Sequence, residues 1–365
     1  MTSVRRGINW VTLIAIVLAA IIAAPASHAV TLTPQQEAGQ RIIYSYTGLT
    51  PPASLIQRIQ TGQAADVIFF GDNISSDNQI SSVVSQLRQA AAQSPVHAPL
   101  LLMTDQEGGQ VRRLPGAPAL SEKQIGQSAN AATLAGQAGH DAGENLRSVG
   151  MNVNLAPVLD VYYQAGNFID EFQRSYSNNA SVVSSLGQAF IGNQQAVGAA
   201  ATAKHFPGLG AATTSQNTDA QPVTLNVSLS GLRSKDEAPY PAAIAAGVQL
   251  IMVSWATYPA LDASRPAGLS SAVVQGELRN RLGFQGVTVT DAIEAGGLSA
   301  FGSDANRSVL AAQAGMDLIL CANGTVTQGD SVNAALVSAM QSGQLSQSSF
   351  TAAVNRVTAL RNTLP

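Results

Sequence analysis

Cysteine is almost missing from this chain of 365 residues, in which Cys321 is the only one. A disulfide within the chain is therefore impossible, and a lone thiol at the end of an apolar run is expected to be buried and inert. Histidine is also rare. Beyond the N-terminal segment only His97, His140 and His205 remain, and they lack the spacing of a zinc site. We therefore expect no metal.

Charge is scarce as well, because only 11% of the residues are charged and the formal net charge is −3. Without a Lys/Arg cluster the chain has no basic surface for nucleic acid. No G-x-G-x-x-G follows an apolar run and no phosphate loop is present, so a nucleotide cofactor is not indicated. We expect no cofactor. The 45% of hydrophobic residues fits a well-packed core.

The N-terminal segment has the order of a secretory signal peptide. Arg5-Arg6 precede an uncharged apolar stretch from Ile8 to Ala24, and small residues follow up to Ala29. We expect residues 1–29 to be removed, which places the protein outside the cytoplasm, secreted or in the cell envelope, without stable membrane contact. An uncleaved anchor is the alternative, although the stretch is shorter than the ~20 residues of a membrane span. The sequence does not determine the oligomeric state.

Eight short apolar runs are separated by gaps that are mostly long enough for a crossover helix. The runs cover 42–46, 67–70, 100–104, 153–158, 199–203, 250–253, 287–290 and 318–320. Helical patterns between them cover 78–92, 133–149, 181–197, 238–246 and 305–314. Alternating strands and helices predict an α/β class with a parallel sheet. Eight repeats favour a closed (β/α)8 TIM-type barrel, formed by residues 30–365 as one domain.

Polar groups follow four of these runs, three of them directly and one after a single further residue. They are Asp105, Asp160, the pair Lys204-His205, and Asp291. The carboxyl ends of barrel strands are where α/β barrels place their active sites, so this pattern predicts an enzyme and its pocket.

Each candidate residue has more than one interpretation. Asp291 is either a rigidly held nucleophile or the N-cap of a following helix. Lys204 either binds a polar substrate together with His205, forms a Schiff base, or pairs with an aspartate inside the barrel mouth.

Two further segments are ambiguous in the same way. Asp105, Glu107 and Arg113 lie in one polar stretch and are either ligand-binding groups or a salt-bridged brace. Arg174 either holds substrate hydroxyls or pairs with Asp160 or Asp170.

Taken together these segments resemble glycoside hydrolase family 3, in particular its single-domain β-N-acetylhexosaminidase branch. The resemblance runs from about residue 33 to about residue 362. Its segments are VIFFGDN (67–73), TDQEGGQVRRL (104–114), AGENLRSVGMNVNLAPVLDV (142–161), RSYS (174–177), KHFPGLG (204–210), LRSKDEAPYPAAI (232–244), VTDAIEAGGL (289–298) and AGMDLIL (314–320). It implies a (β/α)8 barrel and a retaining double displacement on a carbohydrate substrate.

The resemblance also implies roles for individual residues. Asp291 takes the place of the catalytic nucleophile. The positions of sugar-binding residues are taken by Asp105, Arg174, Lys204 and His205. We expect Arg113 to bind substrate as well.

One loop departs from the family pattern. The hexosaminidase branch has an Asp-Ser-His after its K-H-F-P-G-H-G, and that His is the general acid/base. Here residues 215–218 are Ser-Gln-Asn-Thr, none of which delivers a proton near neutral pH. Trp255 also stands where that branch commonly has a histidine. Larger members use a carboxylate from a second domain, which we do not expect here.

Asp219 is the only ionisable residue between His205 and Arg233, so we expect it to replace the missing acid. Retention requires two carboxyl groups about 5–5.5 Å apart, which the loop would meet by closing over the sugar. The alternative is a solvated turn residue.

Three hypotheses follow. The first is a secreted retaining exo-β-glycosidase with Asp291 and Asp219 as catalytic residues, acting on β-N-acetylhexosaminides or, alternatively, as a β-glucosidase. The second is a catalytically impaired sugar-binding barrel. The third is a lyase or aldolase-type barrel in which Lys204 forms a Schiff base.

Overall fold

Eight parallel strands form a closed barrel in the computed structural model, which describes residues 1–2 and 32–365. The strands are Ile42–Tyr44, Asp66–Ile68, Leu101–Thr104, Val153–Asn154, Ala200–Phe206, Leu250–Val253, Val287–Ala292 and Leu318–Leu320. Each strand pairs with its sequence neighbours, and the first closes onto the eighth with Ile42 opposite Ile319. The predicted (β/α)8 barrel is confirmed. The signal peptide predicted over residues 1–29 lies outside the described residues, apart from its first two.

Side chains alternate between the two faces of the barrel wall because successive residues of a strand point in opposite directions. In the first strand Ile43 joins the apolar cluster inside the barrel, whereas Ile42 and Tyr44 pack outward against the helices. The C-terminal helix closes the amino end of the barrel, where Val357 and Leu360 join the interior cluster.

Helices surround the barrel and cover its outer face. Their bounds are Pro34–Gly39, Ala53–Gln60, Asp77–Ala91, Glu122–Gly126, Ala131–Ser148, Ala180–Ala196, Leu229–Gly231, Tyr240–Ala245, Asp304–Ala314, Val326–Gln341 and Gln347–Arg361, with π-type segments at Leu232–Asp236 and Ala272–Arg281. The five predicted helices are present to within two residues at each end. Ser76, Ser303 and Ser346 begin three of the helices by accepting a bond from a backbone N–H of the first turn.

The strand ends differ from the prediction in two places that matter for the site. The fifth strand continues through Lys204 and His205 to Phe206, so both side chains lie within it. Asp291 lies within the seventh strand, and its Oδ1 accepts a bond from the N–H of Ala292 at 2.8 Å. The next helical segment, Gly296–Phe301, has Ala295 at its N-cap, so the N-cap interpretation of Asp291 is wrong.

None of the helices in the described part of the chain is long and apolar enough to cross a bilayer. Cys321 is fully buried at the end of the eighth strand, and burial raises the pKa of its thiol well above the usual value. The thiol therefore stays protonated.

Candidate active site

A cavity of about 450 Å³ opens at the carboxyl end of the barrel, a volume typical of small-molecule sites. All seven residues predicted from the sequence as site residues line it: Asp105, Arg113, Arg174, Lys204, His205, Asp219 and Asp291. Its floor is apolar and consists of Ile68, Leu155, Met252 and Leu320, which belong to the cluster that fills the barrel.

Lys204 forms the centre of an ion-pair network on one side of the cavity. Its Nζ lies 2.7 Å from Asp105 Oδ1 and 2.8 Å from Glu107 Oε1. Arg174 binds the same Glu107 with two parallel bonds, from Nε at 2.9 Å and from Nη2 at 2.8 Å. We expected Arg174 either to hold substrate hydroxyls or to pair with Asp160 or Asp170, but its partner is Glu107.

Glu107 is almost fully buried, yet it is ionised. Burial alone would raise the pKa of this carboxyl, but the charges of Arg174 and Lys204 outweigh it and lower the pKa to about 2. Of the two interpretations of Glu107, ligand-binding group or salt-bridged brace, the structure shows the brace. Glu107 holds two cations, Lys204 and Arg174, that both line the cavity.

Lys204 itself is a protonated ammonium group. Burial lowers the pKa of a lysine, but Asp105 and Glu107 more than offset this and raise it above the usual value. A Schiff base requires a neutral amine, so this environment opposes the lyase hypothesis.

His205 is fixed by Asp160, which is fully buried. Nδ1 of His205 lies 2.7 Å from Asp160 Oδ2, while Oδ1 accepts the backbone N–H of Leu209 at 2.6 Å. Nε2 is thereby directed towards Arg174, whose Nη2 lies 3.5 Å away. Asp160 therefore sets the orientation of a ring that faces the cavity.

Trp255 supports the backbone beside Asp291. The indole is fully buried and its Nε1 donates to the carbonyl of Ala292 at 2.8 Å. Trp255 therefore holds the end of the strand that contains Asp291.

The loop that contains Asp219 is docked on the loop after the seventh strand. Gly296 donates its N–H to the carbonyl of Asp219 at 2.7 Å, and Gly297 donates to that of Thr218 at 2.8 Å. A Cβ at Gly296 would lie 2.2 Å from the carbonyl oxygen of Ala220, and one at Gly297 would lie 2.8 Å from that of Thr218. Only glycines allow the two loops to approach this closely.

Asp219 is an exposed residue at the rim of the cavity that contains Asp291. Partial desolvation, followed by repulsion from the Asp291 carboxylate, raises the pKa of Asp219 from 3.8 to about 6. The carboxyl is therefore protonated in mildly acidic solution. Two carboxyl groups with different environments in one cavity are the usual components of acid-assisted glycoside cleavage.

Two other charged side chains face the cavity. Arg113 lines the cavity, and its buried Nε has no hydrogen-bond partner among the described residues. Glu294 also lines the cavity and was missed by the sequence analysis; its only signal was its position three residues after Asp291. Among the described residues no three metal-ligating side chains are grouped as in a metal site.

Relatives of known sequence are similar to this chain along most of its length. It is 46% identical over 350 residues to an uncharacterized secreted glycosyl hydrolase of Arthroderma benhamiae, covering 95% of this chain and 99% of that protein. It is 32% identical over 344 residues to β-hexosaminidase A of Pseudoalteromonas piscicida, covering 87% of this chain and 56% of the relative.

Solved structures share the fold. A glycoside hydrolase family 3 β-N-acetylglucosaminidase from Paenibacillus sp. matches with a TM-score of 0.85 and 34% identity, over 91% of this chain and 63% of that one. A β-N-acetylhexosaminidase from Beutenbergia cavernae matches with a TM-score of 0.80 and 30% identity, over 91% and 98% of the two chains.

The model of the glycosyl hydrolase family 3 N-terminal domain matches residues 44–360, which include every barrel strand except the first two residues of the first. The chain therefore belongs to glycosyl hydrolase family 3.

Proposed function

We propose that the protein is a secreted, retaining exo-β-glycosidase that hydrolyses terminal β-linked N-acetylhexosaminides by double displacement. The observation on which this rests most is the pairing of Asp291 with Asp219, whose pKa of about 6 suits a general acid. The substrate class is supported by the β-hexosaminidase and β-N-acetylglucosaminidase names of the relatives.

The first half of the reaction would use both carboxyl groups. Asp291 attacks C1 of the sugar as its bond to the leaving oxygen breaks, and Asp219 donates its proton to that oxygen. The products are a glycosyl ester on Asp291 and the released alcohol. Hydroxyls of the bound sugar would be held by Asp105, Arg113, Arg174, Lys204 and His205.

The second half of the reaction needs Asp219 as a base. The first half leaves Asp219 deprotonated, because Asp219 has given its proton to the leaving oxygen. Desolvation and repulsion from the Asp291 carboxylate together raise the pKa of Asp219. Once Asp291 is an ester it has no charge, so the repulsion disappears and the pKa of Asp219 falls. Asp219 then accepts a proton from water, which attacks C1 and regenerates the Asp291 carboxylate. Asp219 therefore changes from acid to base between the two steps, while Asp291 is first the nucleophile and then the leaving group.

Export would depend on the N-terminal segment. We propose cleavage after Ala29, in keeping with the secreted relative of Arthroderma benhamiae. N-terminal sequencing of protein recovered from the medium should then begin at Val30. A mature chain that retains Arg5-Arg6 would indicate an anchor instead.

Asp291→Asn should fold normally and lose turnover, because an amide does not form the glycosyl ester. A 2-fluoro or 5-fluoro slow substrate with a good leaving group should label Asp291 covalently in the wild type, as peptide mass spectrometry would detect. Labelling of a different residue, or turnover by the variant close to that of the wild type, would remove Asp291 from this role.

Asp219→Ala should slow hydrolysis of a β-linked disaccharide by roughly 10²–10⁴-fold, the usual contribution of an acid/base group. Glycosylation by an activated aryl glycoside should change much less, since its leaving group needs little protonation, and azide should restore deglycosylation. In the wild type, kcat/KM for the disaccharide should fall as the pH rises above about 6, where Asp219 loses its proton. Small, equal effects on both substrates would contradict the assignment.

Gly296→Ala should impair the enzyme through the position of Asp219. The added methyl would collide with the carbonyl of Ala220 and displace the loop, and a displacement of about 1 Å costs up to 10²-fold in rate. We expect a larger loss on the disaccharide than on the aryl glycoside and an alkaline limb at lower pH, because Asp219 moves away from Asp291. Gly192→Ala, at an open helical position, is the matched control. Equal losses on both substrates with an unchanged pH profile would show a merely structural effect.

A further inference from the structure

Glu294 is a carboxylate in the cavity that the proposed double displacement does not use. It lies three residues after Asp291, in the loop that Arg307 braces through a bond from Nη1 to the carbonyl of Ile293 at 3.2 Å. Among the described residues it forms no salt bridge. A half-buried carboxylate beside the reaction centre is costly to maintain without a partner, which points to a partner supplied by the ligand.

Among the described residues, neighbouring groups donate to only one of the two oxygens of Glu294, and the carboxylate also accepts its own backbone N–H. Oε2 of Glu294 accepts the N–H of Ala322 at 3.2 Å and the Nε2 of Gln328 at 3.0 Å. Oε1 accepts no bond from another side chain in the described residues, and it is not enclosed among the buried atoms that lack a partner. The side chain is thus anchored at Oε2, and Oε1 retains acceptor capacity for a ligand in the cavity that Glu294 lines.

The hydrogen bonds of Gln328 fix which of its side-chain atoms faces Glu294. Oε1 of Gln328 accepts the N–H of Asn323 at 3.1 Å, which directs its Nε2 towards both Glu294 and Asp304, the latter at 2.7 Å. Both groups that bind Oε2 of Glu294 are therefore donors. Burial raises the pKa of Glu294, while these hydrogen bonds favour its ionised form.

The position of Glu294 in the cavity indicates which substituent of the sugar it would bind. Asp291 would attack C1, and Glu294, which lines the same cavity three residues further along the chain, would then face the atoms bonded to C1. Of these atoms the ring oxygen offers no proton and the leaving oxygen is on the opposite side from the nucleophile. The substituent on C2 remains as the donor.

We propose that Glu294 accepts a hydrogen bond from the substituent on C2 and selects substrates with an amide N–H there. This inference rests on the proposed β-N-acetylhexosaminidase function and deepens it. An amide N–H only donates, whereas a hydroxyl both donates and accepts. A carboxylate oxygen with remaining acceptor capacity therefore suits a 2-acetamido sugar, and a donor in its place would oppose that sugar more than a 2-hydroxy sugar.

Glu294→Gln places a donor where the wild type has an acceptor. The N–H groups of Ala322 and Gln328 determine how the new amide is oriented. Its oxygen must take the position that faces the N–H groups of Ala322 and Gln328, so its NH₂ takes the place of Oε1. The variant should lower kcat/KM for an aryl β-N-acetylglucosaminide by roughly 10- to 100-fold, the effect of a lost charge-assisted hydrogen bond. For the matching aryl β-glucoside the loss should be at least tenfold smaller. Glu144→Gln, on an exposed helical face, is the control.

The outcomes separate the inference from the function on which it rests. A wild type that is inactive on the N-acetylglucosaminide overturns the proposed function before any variant is made. An active wild type in which Glu294→Gln lowers both substrates equally, or neither, overturns the role of Glu294 alone. A selective loss on the acetamido substrate, with the control unchanged, supports both.

Discussion

The buried ammonium group of Lys204 is the interaction on which the site depends. It lies between Asp105 and Glu107, which follow the third strand, while Lys204 itself belongs to the fifth. A buried lysine is tolerated only when its charge is matched and its donors are used. Arg174 completes the match at Glu107 and thereby fixes a long loop to the same strand ends. Rigid placement of these polar groups follows from the need to satisfy one buried charge.

The two sides of the cavity consequently differ in charge. On one side cations and carboxylates neutralise each other in a closed network. On the other, Asp219, Asp291 and Glu294 line the cavity, and among the described residues none of them forms a salt bridge. Glycoside cleavage passes through an oxocarbenium-like state with positive charge at C1 and the ring oxygen. The negatively charged side of the cavity suits this positive charge. The side whose charges are neutralised suits the uncharged hydroxyls of the sugar.

The sequence predicted the barrel because its signals are local. The strands follow from short apolar runs, and the polar residues at their ends follow from the direction of parallel strands. Such local signals do not predict contacts between loops. Glu107 and Arg174 form an ion pair although they are 67 residues apart in the chain. Gly296 and Gly297 appear in the sequence as ordinary turn glycines, and only the structure relates them to Asp219. The remaining acceptor capacity of Glu294 Oε1 likewise depends on the bond of Oε2 to Gln328.

The apolar floor of the cavity ties the size of the ligand to the stability of the fold. Ile68, Leu155, Met252 and Leu320 are at once the floor and the upper layer of the barrel interior. A smaller side chain there would deepen the pocket and also leave a void in a close-packed core, at a cost of about 2–5 kcal/mol for truncation to alanine. Variation in the sugars that such a barrel accepts is therefore confined to its rim. The loops at the rim can diverge while the floor changes little, so new sugar specificities would arise from those loops.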